Sequence, residues 1–195
     1  MQVPHILFLP ALATLASGCG AFDTLDECED NLAVAGALSV DGANVDFDNA
    51  ELFLNFSTAA GDDACIYETS GFLAKGGEIT GCTFHLSTTP LLDGSGRLQL
   101  DEVSLLVDPS QCPTWSVPEG SYFAERADGP IGTVSFDSEV DVGDVGGCYE
   151  GTVTIDLVAF TAGSQGGSVD VAASTITVSG TKLATGQMAS CATPG

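Results

Sequence analysis

The chain has 195 residues, with 27 acidic side chains against four basic ones and a formal net charge of −23. Such a surface repels polyphosphate, which excludes nucleic acid as an ordinary partner. Hydrophobic residues still make up 44% of the chain, so the acidity does not signal disorder and a sizeable core can form.

An uncharged apolar run from Ile6 to Ala16 opens the chain and ends in Ser17-Gly18-Cys19. It is shorter than the roughly 20 residues a membrane-spanning helix needs, and Pro10 would break a helix interior. The run therefore reads as the apolar region of a secretory signal. With small residues leading into Cys19, it resembles the signal peptide and lipobox of bacterial lipoproteins. The resemblance covers residues 1–19 only. It implies that residues 1–18 are removed, that a diacylglycerol joins the Cys19 thiol, and that the new amine is acylated, for example with palmitate. It further implies a lipid anchor in the outer membrane or at the cell surface, since Gly20 rather than aspartate follows the cysteine. Two features depart from the pattern: Met1 to His5 holds no Lys or Arg, and Ala16 stands where leucine is commoner. Cleavage at Ala16-Ser17-Gly18 as an ordinary signal would instead release a periplasmic or secreted protein. Residues 20–27 form a tether reaching up to roughly 28 Å when extended. That exceeds the Debye length of about 8 Å, enough to hold an acidic domain off an anionic membrane.

From Cys28 to Cys191 the chain reads as one all-β domain, an antiparallel sandwich of about ten short strands. Leu32, Val34, Leu38 and Val40 share one parity, and Asp41-Gly42 turns the chain into Val45 and Phe47. Leu52, Leu54 and Phe56 form a second face. Further strands are expected over 65–73, 78–86 and 97–107. In the last of these, Leu98 and Leu100 give way to Val103, Leu105 and Val107, a phase change that predicts a bulge. The loop 108–120 holds three prolines, Cys112 and Trp115. Strands resume at 121–126, 131–141, 151–160, 169–173 and 175–183. The cleanest alternation puts Val153, Ile155, Leu157 and Ala159 inward. Residues 192–195 read as a loose tail.

Seven cysteines are present, and assigning Cys19 to lipid leaves Cys28, Cys65, Cys82, Cys112, Cys148 and Cys191. An even set in an exported chain predicts three disulfides. Six cysteines allow 15 pairings. The spacing favours Cys65 with Cys82 across a hairpin turning at Lys75-Gly76-Gly77; Cys28 and Cys191, near the two ends of the mature chain, could clasp them, which leaves Cys112 with Cys148. Zinc is disfavoured, because there is no Cys-x-x-Cys pair and His85 is the only histidine after Cys19.

Oxygen-rich segments are the candidates for calcium: Asp46, Asp48 and Glu51 in one, Asp137, Glu139 and Asp141 in the other. Neither has the spacing of a calcium loop, and carboxylates alternating along a strand usually mark its solvated face. Trp115 is the best candidate for an exposed aromatic platform for a sugar, but burial beside a disulfide, capping the core, is the favoured reading. His85 is expected on an outer strand face, opposite Phe84, and no Gly-x-Ser-x-Gly elbow accompanies it. No cofactor is expected beyond the calcium candidates. The sequence thus points to a lipid-anchored envelope protein with a non-enzymatic structural or binding module, its protein or glycan partner unspecified. The alternatives are a calcium- or carbohydrate-binding adhesion domain and, third, a secreted hydrolase.

Overall fold

In the computed structural model, residues 32–58, 65–76, 81–92, 97–136, 150–181 and 183–185 are described. Almost all of them lie in strands or in the turns between. The first eight strands are β1 (Ala33–Ala35), β2 (Ala37–Val40), β3 (Ala43–Asp46), β4 (Asn49–Thr58), β5 (Cys65–Ala74), β6 (Cys82–Thr88), β7 (Leu91–Leu92) and β8 (Leu98–Val107). They are followed by β9 (Gly120–Glu125), β10 (Gly132–Phe136), β11 (Glu150–Leu157), β12 (Phe160–Ser164), β13 (Gly167–Val171), β14 (Ser174–Thr181) and β15 (Leu183–Thr185). Pairing is antiparallel throughout, except that β15 runs parallel to β4.

The fold is an antiparallel β sandwich, as the alternation predicts. One sheet runs β1-β14-β11-β10 and reaches the start of β8. The other runs from β15 through β4, β5, β6, β8, β9, β12, β13 and β2 to β3. β8 belongs to both, and the predicted bulge is where it changes allegiance. Ser87 pairs with Glu102 while Thr88 pairs with Leu100, leaving Asp101 unopposed. Before the bulge β8 pairs with β10, and after it with β9. The inward set shifts accordingly from Leu98 and Leu100 to Val103, Leu105 and Val107, all buried.

A second crossing occurs at Gly36, between β1 in one sheet and β2 in the other. It has φ +99°, and a Cβ there would lie 2.5 Å from the Thr175 carbonyl oxygen, so only glycine fits. This break explains why the single parity read across Leu32 to Val40 becomes two strands. Asp41 (φ 49°) and Gly42 (φ 78°) form the two-residue hairpin between β2 and β3. Residues from both sheets meet in one core, including Leu38, Phe84, Leu100, Ile155 and Ile176. Ala159 is the exception to the predicted inward set: β11 ends at Leu157, and Ala159 is exposed.

Cys82 is bonded to Cys112, with Cα atoms 6.0 Å apart. This corrects the pairings of Cys65 with Cys82 and of Cys112 with Cys148. The reason is register. Cys82 begins β6 beside the hairpin end, where the Lys75 N–H donates to its carbonyl. Cys65 begins β5 opposite Thr58, ten residues farther along the strand, or about 33 Å at strand rise. Cys82 also stands opposite Val107, and the loop leaving β8 bends straight back, with Gln111 and Cys112 N–H groups donating to the Asp108 carbonyl. The expected Cys28–Cys191 pair, and Cys148, lie outside the described residues.

Candidate functional site

Asp46 and Asp48 do not open toward a metal. Lys75 places its Nζ 2.7 Å from Asp46 Oδ2 and 3.5 Å from Asp48 Oδ2, and the Gly76 N–H donates to Asp48 Oδ1 at 2.7 Å. The hydrogen bond from Lys75 holds the Asp46 carboxyl below its usual range, and the same bond raises the Lys75 ammonium. Glu51 sits apart from them, on β4 opposite Phe72. A cation from the chain itself, Lys75, thus lies against both aspartates of the first calcium candidate. Among the described residues no three carboxylate, thiol or imidazole groups converge as ligands. Asp137, Glu139 and Asp141 lie outside the described residues, as does Cys19 with its signal and tether.

Trp115 caps the core beside a disulfide, the favoured expectation, and is no exposed platform. It is 3% exposed, meets Phe47 edge to face at 5.6 Å, and donates its indole N–H to the Asp46 carbonyl at 3.2 Å. Its loop is held by Cys112, three residues before it, so the disulfide and the indole close the same corner of the core.

The aromatic surface lies elsewhere, on the outward face of the sheet from β4 to β9. Along these strands Ala50, Leu73, Phe84, Leu105 and Tyr122 point inward as one cross-strand row. The neighbouring residues must then point outward. One outward row is Glu51, Phe72, His85, Ser104 and Phe123; the next is Phe53, Ser70, Ser87, Glu102 and Glu125. His85 is on the outer face as expected, with its ring 5.6 Å from that of Phe72. Phe53, Phe72, His85, Glu102 and Phe123 line an open groove of about 320 Å³, with Ser70, Ser87 and Ser104 between them. Phe123 is 43% exposed.

Two backbone features shape this groove. At Gly71 (φ +155°) a Cβ would fall 2.1 Å from the Glu51 carbonyl oxygen, so β4 and β5 approach each other more closely than any side chain permits. The bulge at Asp101 is the second: it turns Glu102 outward beside Ser87.

A second hollow, of about 620 Å³, lies by Asp41, Phe160 and Asp170. Its carboxylates serve local structure: Asp41 accepts the Asp170 N–H at 2.8 Å, and Asp170 accepts the Thr161 hydroxyl at 2.8 Å. Compared with known proteins, the chain matches no family model, no curated protein and no solved structure.

Proposed function

We propose that this chain is a lipid-anchored protein of the bacterial envelope whose β sandwich is a non-catalytic binding module, with the β4–β9 outer face as its binding surface. The observation that carries the reading is the contrast in aromatic placement. Trp115 and Phe47 are sealed into the core, whereas Phe123 is left 43% exposed in a groove whose floor holds the buried Phe72, the half-buried Phe53 and several hydroxyls. Leaving a large apolar ring in water is unfavourable, and one set in a concave, partly apolar groove marks an interaction surface. The resemblance at Cys19 supplies the address.

Two measurements test the reading. Radiolabelled palmitate should enter the protein and be lost in Cys19→Ala. A benzoylphenylalanine photocrosslinker in place of Phe123 should capture a partner on intact cells, while the same group in place of Val158 should not. Val158 is also 43% exposed but lies outside the groove, so the pair controls for exposure. Equal capture at both positions would sink the binding-surface assignment.

A further inference from the structure

The charge around the groove selects its occupant. Glu102 lines it, and Glu51 and Glu125 end the two outward rows. Lys75, Arg97 and Arg126 are the Lys and Arg side chains among the described residues, and none lines the groove; the His85 imidazole is the basic group that does. Lys75 lies against Asp46 and Asp48, Arg97 lies 3.4 Å from Asp156, and Arg126 donates to the Thr89 hydroxyl at 3.1 Å. An acidic peptide, an anionic glycan or an anionic lipid would meet Glu102 with no described Lys or Arg in the groove to offset it. A cationic occupant is favoured twice. The field of a chain with net charge −23 steers it in, and at contact a guanidinium or ammonium can lie on a phenylalanine face while pairing with a carboxylate.

The size of the face points to a polypeptide rather than a small cation. Five strands from β4 to β9 place Phe53 and Phe123 about 19 Å apart in the hydrogen-bonding direction. That matches about six residues of extended chain. We infer that the groove docks a basic segment of a partner protein, seating an Arg or Lys head over Phe123 against Glu102. The inference rests on the reading of this face as a binding surface and adds the chemistry of the partner.

The test uses the full chain and a fluorescein-labelled (Arg-Gly)4 peptide followed by anisotropy, with (Glu-Gly)4 and the neutral glycan cellohexaose as competitors. Phe123→Ala and Glu102→Gln should each weaken the arginine peptide by about five-fold, the scale of one cation–π contact or ion pair. Asp170→Asn, an exposed carboxylate away from the groove, should change binding by less than about two-fold if the contact is local. Equal effects from Glu102→Gln and Asp170→Asn, with none from Phe123→Ala, would overturn the inference by showing diffuse acidity alone. Displacement by cellohexaose would overturn it in favour of a neutral glycan. The crosslinker at position 123 separates the two levels of the argument. Capture of a partner identified by mass spectrometry as a basic segment supports the inference. Capture of a glycan ends the basic-partner inference but keeps the binding surface, and capture no better than at position 158 ends both.

Discussion

Two parts of this sandwich are made of the same materials, aromatic rings beside carboxylates, and use them in opposite ways. At the Trp115 corner, Phe47, Phe84 and Trp115 pack on one another, with Phe47 centred 6.3 Å from Phe84 and 5.6 Å from Trp115. The indole N–H has a carbonyl acceptor, the neighbouring aspartates have Lys75, and Cys82–Cys112 ties the loop down. On the β4–β9 outer face, Phe123 is 43% exposed and shares the groove with Glu102, with no described Lys or Arg in it. The comparison teaches that residue type does not mark a site. What marks it is which groups the chain has already partnered for itself.

The corner should therefore respond to mutation through stability. Trp115→Ala is expected to have the largest effect, about 3–5 kcal/mol, because it removes a buried indole and leaves a cavity next to Phe47. Chemical denaturation would measure it, and a loss below about 1 kcal/mol would mean that the corner collapses without cost. Cys82→Ala combined with Cys112→Ala should follow. The bridge closes a loop with a sequence separation of 30, for which chain entropy gives about 3–4 kcal/mol. If the double variant unfolds at the same denaturant concentration as the oxidised parent, the disulfide contributes nothing at equilibrium.

The sandwich class and the β8 bulge were legible because each is a local parity signal. Leu98, Leu100 and Val103 cannot all point inward from an unbroken strand. The hairpin at Asp41-Gly42 was legible for a similar reason, since both residues tolerate positive φ. The disulfide was not, because closeness in sequence between Cys65 and Cys82 hides their places at opposite ends of a hairpin. Burial of Trp115 beside Cys112 was legible from residue type, but the partner that holds its loop on the core, Cys82, was not. The groove needed the register of five strands at once, because Phe53, Phe72 and Phe123 are scattered along the chain. One signal was present: Leu73 and Tyr122 fit the inward parity, so Phe72 and Phe123 had to face out.

The ion pair at the corner gives a smaller and pH-dependent effect. Lys75 is 26% and Asp46 42% exposed at the side chain, so solvent screening limits Lys75→Met to a loss of about 0.5–1 kcal/mol at neutral pH. The sign follows from the shifts. The Asp46 carboxyl is depressed, chiefly by the Lys75 hydrogen bond, so its contribution is present above the ordinary carboxylate range and fades as pH falls through and below it. The Lys75 ammonium is raised, so its contribution is present below the ordinary lysine range and fades as pH rises through and beyond it. The stability difference between parent and Lys75→Met should thus be flat near neutrality and shrink at both extremes. A difference that grows in acid would contradict the pairing.

The change in stability expected at Phe123 is a fraction of that at Trp115, and the gap sharpens the contrast between them. A ring 43% exposed on the outer face gives up about half the buried surface of a core ring when truncated, so Phe123→Ala should cost about 1 kcal/mol. A ring that packs as part of the fold would behave like Trp115 and cost several times as much. A ring kept in the groove for a partner should cost little when the protein is alone and more when the partner is present. Measuring Phe123→Ala by denaturation in the absence and presence of saturating (Arg-Gly)4 separates these cases. Ligand linkage predicts that the peptide raises the stability of the parent more than that of the variant. Equal increments in both proteins would place the peptide somewhere other than on Phe123.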